Sequence, residues 1–252
     1  MVDTQSSTGE TPFADVHFAK RSLAVERPAD GSLILKNLTP LGPYPNQISD
    51  YLRHWAMIEP ERVYLAEREP GGGWRTITYS EAMAAANCVS QSLIDFKLSS
   101  DHPVMALGGN SIEMAILSLG VMQIGIPFVP VSPSYSLLSE DFGKLKYIFD
   151  LIDPALIYVP DVAPFEKGLQ AILAGVKSKK PRMVSNNDEP EFMAFSELTN
   201  TSAGPEVEQA YAQVTGDSIA KYLFTSGSTG MPKAVITTQR MMCANATGVC
   251  QQ

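Results

Sequence analysis

The amino-acid sequence predicts an α/β fold in which a mainly parallel sheet is flanked by helices and preceded by an N-terminal hairpin. Short apolar runs alternate with longer stretches of helical periodicity, a pattern typical of parallel sheets with crossover helices. In the clearest example, at 103–131, an apolar strand, a helix that is apolar nearly all round and a second apolar strand follow one another. Such a β-α-β unit is expected to pair its strands in parallel. The hairpin is predicted from Asp30-Gly31, which separates two apolar runs.

The other elements follow from periodicity and from turn residues. Residues 1–12 are polar and predict a disordered tail, the hairpin covers 23–38, and the proline-rich stretch 40–45 predicts an extended connector. A helix from 46 ends before Pro60. The pattern then predicts strands at 63–67, 74–78, 103–107, 126–131, 155–159, 182–185 and from 219, with helices after 78 and at 114–124, 142–152, 164–177 and 240–252.

Local signals refine these boundaries. Thr78 and Glu81 have the spacing of a capping box, and so have Asn110 and Glu113. Gly108-Gly-Asn110 predicts a turn, because it lacks the three-glycine fingerprint of a dinucleotide site. The segment 132–136 predicts a loop, the helix at 164–177 has a lysine-rich end that suits the helix dipole, and the polar segment 186–216 predicts a long surface connection.

Composition narrows the function classes. The chain has 252 residues, enough for one large domain or two of ordinary size, and its net charge of −8 disfavours binding to nucleic acid or to anionic membranes. Cys88, Cys243 and Cys250 have no paired spacing, which favours reduced thiols over a disulfide framework or a zinc site. The N-terminal residues do not form a signal peptide, and the apolar run 114–131 contains two prolines. We therefore expect a cytoplasmic protein without a membrane span.

The segment 222–235 carries the strongest chemical signal. Two apolar runs flank a cluster of hydroxyls, glycines and one lysine: Thr225, Ser226, Gly227, Ser228, Thr229, Gly230 and Lys233. The glycines permit positive φ, which lets backbone N–H groups converge on an anion, and the lysine supplies positive charge for phosphate oxygens. The loop is not a Walker A motif, since Pro232 precedes the lysine and Ala234 follows it. By composition alone, a turn between two strands with a solvated lysine is the other interpretation.

The order Thr-Ser-Gly-Ser-Thr-Gly-Met-Pro-Lys resembles the signature loop of the adenylate-forming superfamily. That superfamily includes acyl- and aryl-CoA synthetases, peptide-synthetase adenylation domains and luciferases. One departure is Ala234, where many members have glycine; alanine only restricts φ there and should not remove a phosphate contact. The resemblance continues upstream in 74–81, 110–113 and 125–131. Further stretches resemble feruloyl-CoA synthetases, enzymes of phenylpropanoid degradation: 41–45, 130–136, 141–145 and 238–245.

This resemblance implies a fold, a reaction and a site. Residues 13–252 would form the incomplete N-terminal part of the large domain of an AMP-binding enzyme. The reaction would be AMP-forming ligation of an aromatic acid such as ferulate to coenzyme A, with ATP and magnesium. Phosphate contacts would come from Thr225, Ser226, Gly227, Ser228, Thr229, Gly230 and Lys233.

The resemblance also implies that no catalytic residue lies within these 252 residues. The segments that hold adenine, magnesium and ribose, most of the acyl pocket, the hinge and the catalytic lysine are expected further along a longer chain. We therefore expect an N-terminal fragment that is inactive alone. Two alternatives remain. One is another adenylate-forming enzyme, such as a fatty acyl-CoA ligase or an amino-acid adenylation domain. The other is a non-catalytic fragment that binds a nucleotide or a partner.

Overall fold

A computed structural model describes residues 22–176, 180–225 and 230–251. The predicted tail at 1–12 lies outside these residues. The chain divides into two compact units, one comprising Met1–Pro43 with Asn245–Gln252 and the other comprising Tyr44–Ala244. In the first unit, β1 (Leu23–Glu26) pairs with β2 (Ile34–Asn37) in antiparallel register. Gly31 occupies the turn at a φ of +83°, which glycine adopts without strain, so the predicted hairpin is confirmed.

The second unit begins with a helix, a hairpin and a long helix. These are α1 (Ser49–Ile58), the antiparallel pair β3 (Val63–Arg68) and β4 (Trp74–Thr78), and α2 (Tyr79–Asp95). The predicted capping box is confirmed, because the Thr78 hydroxyl accepts from the N–H of Glu81 while the Glu81 carboxylate accepts from the N–H of Thr78. This exchange satisfies backbone donors that the first turn of α2 leaves unpaired.

A seven-stranded sheet forms the centre of this unit. The sheet and its helices comprise, along the chain, β5 (Val104–Leu107), α3 (Ile112–Met122), β6 (Phe128–Val131), α4 (Ser134–Leu137), α5 (Gly143–Ile152), β7 (Leu156–Val159), α6 (Val162–Leu173), β8 (Arg182–Ser185), β9 (Met193–Ala194), α7 (Phe195–Thr199), α8 (Pro205–Gln213), β10 (Ile219–Phe224) and β11 (Ala234–Thr238). The last helix, α9 (Gln239–Cys250), begins in this unit, and its residues from Asn245 belong to the first unit. The strand order is β11-β10-β6-β5-β7-β8-β9. Every neighbouring pair is parallel except β10 with β11.

Helices cover both faces of this sheet, as the alternation of side chains shows. In β5, Val104 and Ala106 belong to one buried cluster with residues of α2, α3 and α7. Met105 and Leu107 belong to a second cluster with residues of α5 and α6. Because successive residues of a strand point to opposite faces, the sheet lies between these two helical layers. The predicted mainly parallel α/β architecture and the β-α-β unit are confirmed.

Several local predictions were wrong. The side chain that caps α3 is that of Ser111 and not that of Asn110. The Ser111 hydroxyl accepts a hydrogen bond from the backbone N–H of Met114. The predicted loop at 132–136 contains the start of α4. Helix α6 ends at Leu173, so its last turn has no basic residue. The predicted connection at 186–216 contains β9, α7 and α8, which bury Phe195, Leu198 and Val207.

The apolar run that contains α3 lies in the protein core. Within the described residues, no helix combines the length and the hydropathy needed to span a bilayer.

Candidate functional site

The loop with the hydroxyl and glycine cluster joins β10 to β11. Because β10 is parallel to β6, the loop leaves the sheet at the edge where the other parallel strands also end. Ligands of open α/β sheets bind outside the carboxyl ends of the strands. The fold therefore places this loop where a ligand is expected.

Two hydrogen bonds close the base of the loop. The backbone N–H of Thr225 donates to the carbonyl of Lys233 over 3.0 Å, and the Oγ1 atom of Thr225 accepts from the N–H of Lys233 over 3.3 Å. Of the seven predicted site residues, Thr225, Gly230 and Lys233 are described, and they lie at or near this closure. The predicted contacts Ser226, Gly227, Ser228 and Thr229 lie outside the described residues.

The described loop residues differ in exposure. Lys233 is exposed, and no carboxylate of the described residues lies within ion-pair distance of its Nζ atom. Its charge is therefore available to an anion. Pro232, immediately before it, is buried and fixes the exit of the loop.

The surroundings of Gly230 and Ala234 bear on what side chains the loop tolerates. Among the described residues, no heavy atom lies within 4 Å of the position that a Cβ atom on Gly230 would occupy. Ala234, the departure from the superfamily pattern, is paired with Phe224 in the β10–β11 ladder and has no positive φ. A side chain at 234 therefore causes no backbone strain.

Strand β10 anchors the loop through one face. Tyr222 and Phe224 pack against the second core cluster, whereas Leu223 on the other face is 40% exposed. Lys221 is half-buried, and its burial lowers the pKa of its ammonium group. On the far side of the hairpin, the fully buried Gln239 follows β11. Its Nε2 atom donates to the carbonyl of Met122 over 3.0 Å, and its Oε1 atom accepts from the N–H of Ile48.

The same edge of the sheet carries polar groups that the sequence did not predict as site residues. After β6, the hydroxyls of Ser132 and Ser134 lie 2.8 Å apart. At the end of β7, the hydroxyl of Tyr158 donates to Oδ1 of Asn186, and burial raises the pKa of this phenol to about 12. For Ser132 and Asn186, the signal available in the sequence was their position directly after predicted strands, whereas Tyr158 lies within the strand predicted at 155–159.

The glycine pair after β5 has a packing role. A Cβ atom on Gly108 would lie 2.8 Å from Cδ of Pro160, so only glycine allows this close approach. Close packing against Pro160 therefore explains a glycine at 108 without a nucleotide.

An ion-pair cluster holds the start of α3. The guanidinium of Arg75 contacts Glu113 over 2.5 Å and Glu67 over 2.7 Å, and Glu67 also accepts from the N–H of Ile112. Burial is the largest single influence on Glu113 and opposes its ionisation. The hydrogen bonds and charge of Arg75, together with further hydrogen bonds at the start of α3, outweigh burial in sum and lower the pKa of Glu113. These residues therefore fix the segment between β5 and α3.

The described residues fit phosphate better than they fit a metal ion. Among them, no group of three or more His, Cys, Asp or Glu side chains could hold a metal. The loop base offers the Lys233 ammonium, which suits an anion. Nothing in the described site supplies a set of magnesium ligands, which are mainly carboxylate oxygens and waters.

Comparison with known proteins assigns the family. Residues 52–252 match the AMP-binding enzyme family. The chain is 31% identical over 169 residues to the 3-hydroxybenzoate--CoA/4-hydroxybenzoate--CoA ligase of Thauera aromatica, a match that covers 66% of this chain and 30% of that protein. It is 30% identical over 172 residues to surfactin synthase subunit 1 of Bacillus subtilis, with 66% of this chain and 4% of that protein covered.

A solved structure gives the same result for the fold. The apo structure of Mycobacterium smegmatis MbtA matches with a TM-score of 0.63 at 19% identity, covering 81% of this chain and 36% of that chain. The chain thus spans only a minor part of the length of each of these proteins. Since the family match extends over most of the sequence, the chain belongs to the AMP-binding enzyme family.

Proposed function

We propose that this chain is the incomplete N-terminal part of the large domain of an AMP-forming acid–CoA ligase. Its substrate would be an aromatic carboxylic acid such as ferulate. The observation that carries the proposal is the loop at 225–233, whose order of residues is that of the adenylate-forming signature and whose base is closed by Thr225 and Lys233. The small share of the relatives' length that the chain spans supports the proposal that it acts within a longer protein.

The proposed reaction has two steps. A carboxylate oxygen of the acid attacks the α-phosphorus of ATP, the bond to the bridging oxygen breaks, and pyrophosphate leaves. The thiol of coenzyme A then attacks the acyl carbonyl, loses its proton, and displaces AMP. In the first step, negative charge accumulates on the departing pyrophosphate.

The loop acts in this first step. Lys233 would neutralise charge on the phosphate oxygens, and the Thr225–Lys233 closure would hold the hydroxyls and N–H groups in place. Magnesium would enter with the nucleotide, because the described residues offer no ligand set for it. No residue of this chain is assigned to proton transfer.

The choice of an aromatic acid rests on similarity. The Thauera aromatica relative is named for the ligation of hydroxybenzoates to CoA, and several stretches of this chain resemble feruloyl-CoA synthetases. The similarity to surfactin synthase supports the rival proposal of an amino-acid adenylation domain at nearly the same identity. A long-chain-fatty-acid--CoA ligase of Rattus norvegicus, 25% identical over 173 residues, supports the fatty acyl alternative.

Exchange of labelled pyrophosphate into ATP tests the proposal. A version of the protein extended to the length of the CoA ligases should catalyse exchange with ferulate, and the 252-residue chain should not. A panel of ferulate, 4-hydroxybenzoate, a long-chain fatty acid and the amino acids separates the substrate classes. Each compound supports exchange only with an enzyme that adenylates it. Exchange by the 252-residue chain alone would refute the fragment proposal, and exchange with amino acids only would refute the ligase. Binding of ATP without any exchange in the extended protein would favour the non-catalytic alternative.

A further inference from the structure

A cavity lies at the edge of the sheet opposite the loop. It has a volume of ≈ 280 Å³ and is lined by residues that precede β5 and β7, by the start of β8 and by the segment after α2. These are the amino ends of parallel strands, whereas the loop at 225–233 follows a carboxyl end. The volume is near the lower limit of small-molecule sites, about 300 Å³, so only a small ligand would fit.

The cavity combines apolar walls with a basic rim. Pro154 and Pro181 are buried, and Phe96 and Leu98 are half-buried. The rim carries exposed cationic side chains, among them Lys97 and Arg182. This arrangement of an apolar interior and a few charged groups is typical of sites for organic ions.

Two of the rim cations have no ionic partner within the described part of the chain. Lys180 pairs with Glu191 over 3.3 Å, and the carboxylate of Asp153 lies 3.6 Å from Nδ1 of His102. In contrast, neither Lys97 nor Arg182 has a carboxylate of the described residues within ion-pair distance. The Arg182 guanidinium instead lies over the ring of Phe96, 4.2 Å from its centroid.

Stabilisation of helix ends would account in part for the cationic side chains at the rim. Helices α2 and α5 end beside the cavity, at Asp95 and Ile152, and cations near helix C-termini are stabilised by the helix dipole. That effect requires charge alone. The contact with Phe96 is a cation–π interaction, and it also holds the Arg182 guanidinium in one orientation at the mouth of the apolar cavity, which would preorganise its donors for a ligand.

We propose that this cavity binds a small aromatic carboxylate. The ring of the ligand would contact Leu98, Pro154 and Pro181. Its carboxylate would accept hydrogen bonds from Arg182 and form an ion pair with Lys97. Arginine suits this role because its planar donors match both oxygens of a carboxylate. The proposal is independent of the AMP-forming reaction, since the two sites lie at opposite edges of the sheet.

Titration of the 252-residue chain with benzoate, followed by ¹H–¹⁵N NMR, tests the proposal. Benzoate should shift the amide resonances of Leu98, Ala155 and Arg182 in a saturable way. The amide resonances of Thr225 and Lys233 should not change. Benzyl alcohol, which keeps the ring without the charge, should bind much more weakly, and so should inorganic phosphate. Equal binding of benzyl alcohol would overturn the role of the cations, and shifts confined to the loop would overturn the site.

Variants separate binding from structure. Arg182→Gln and Lys97→Gln should each raise the Kd for benzoate about tenfold, the effect of losing one charge-assisted hydrogen bond. Arg62→Gln is the matched control, because Arg62 also lies near an aromatic ring, that of Trp55 at 5.9 Å, but does not line the cavity. Ser99→Trp, at an exposed rim position, should block the cavity without removing a core contact. Unchanged affinity for benzoate in Arg182→Gln and Ser99→Trp would refute the binding site. Lys97 and Arg182 would then only stabilise helix ends.

Discussion

Thr225 and Lys233 form a reciprocal pair of hydrogen bonds across the base of the candidate phosphate loop. Each backbone N–H of the pair donates to the other residue, to the carbonyl in one direction over 3.0 Å and to the hydroxyl in the other over 3.3 Å. The Thr225 side chain thus acts on the loop base, where a phosphate contact alone had been expected. The hydroxyl has two acceptor lone pairs and one donor, so it can still donate to phosphate while it accepts from Lys233.

We predict that Thr225→Val will weaken the loop base. The variant keeps the shape of the side chain but removes the acceptor for the Lys233 N–H, which corresponds to about 1 kcal/mol. Hydrogen exchange of the Lys233 amide should accelerate about fivefold, and pyrophosphate exchange by the extended protein should fall. Thr225→Ser, which retains the hydroxyl, should restore both. Equal rates of hydrogen exchange at the Lys233 amide in Thr225→Val and the unmodified chain would show that this hydrogen bond does not stabilise the loop base.

Lys233→Ala is expected to slow adenylation in the extended protein by about two orders of magnitude, since an ammonium that neutralises a leaving pyrophosphate contributes several kcal/mol. Global stability should change little, because Lys233 is exposed and unpaired with any described carboxylate. Rapid-quench kinetics of acyl-adenylate formation measures the effect. Lys144→Ala, at a lysine outside the loop, is the control. Unchanged adenylation in Lys233→Ala would exclude its proposed role.

Gly230→Ala tests whether phosphate occupies the space beside this glycine. An added methyl group would meet no heavy atom of the described residues within 4 Å, so urea unfolding should be unchanged. ATP binding to the extended protein, measured by calorimetry, should nevertheless weaken if a phosphate lies close to the Cα atom. Gly108→Ala provides the opposite case. Its methyl group would lie 2.8 Å from Pro160, so stability should fall by about 1–3 kcal/mol. Normal ATP affinity in Gly230→Ala would place the phosphates elsewhere.

The Arg75–Glu113 pair predicts a dependence of stability on pH. The pKa of Glu113 is lower in the folded chain than its ordinary value of 4.5. Its contribution is therefore complete above that value and is lost as the pH falls through the folded-state pKa. Arg75 is 44% exposed, so solvent screening limits the contribution to about 1 kcal/mol.

Urea unfolding at about pH 7 and about pH 3.5 measures this contribution. Glu113→Gln should lose about 1 kcal/mol at pH 7 and little at the lower pH. A loss that is the same at both pH values would show that the charge of Glu113 does not contribute.

The three thiols are expected to differ in reactivity. Cys250 is exposed, whereas Cys243 is fully buried and burial raises the pKa of its thiol to about 11. At pH 8 only about one Cys243 in a thousand would be a thiolate. Iodoacetamide should therefore label Cys250 first, as read by peptide mass spectrometry, while urea should make all three thiols reactive. Labelling of Cys243 at the rate of Cys250 in the folded chain would contradict its burial.

Much of the fold could be predicted because its strands are short, apolar and bounded by turn residues. The strand predicted at 182–185 coincides with β8, and that at 74–78 with β4. The segment 186–216 was missed because only a few buried side chains, among them Phe195 and Leu198, anchor it within a polar composition. One available signal was Pro205 at the first position of α8 with Glu206 beside it, a combination typical of a helix start.

The candidate site could be predicted only as a local motif. The order of residues at 225–233 indicated a phosphate loop, but the Thr225–Lys233 closure depends on the antiparallel register of β10 and β11. The polar pair joins Tyr158 of β7 to Asn186, which directly follows β8. Such groups meet through sheet order, which depends on contacts between residues distant in sequence.

One irregularity in β10 determines which of its side chains face each core cluster. The register of β10 against β11 shifts between Ile219 and Lys221, and across this shift Ala220 packs in the first core cluster while Tyr222 packs against the second. Regular alternation would have put both side chains on one face. The strand therefore carries a phase change of one residue just before the signature loop. Loss or gain of a single residue here would turn Lys221 and Leu223 inward and move Tyr222 and Phe224 away from the second core cluster.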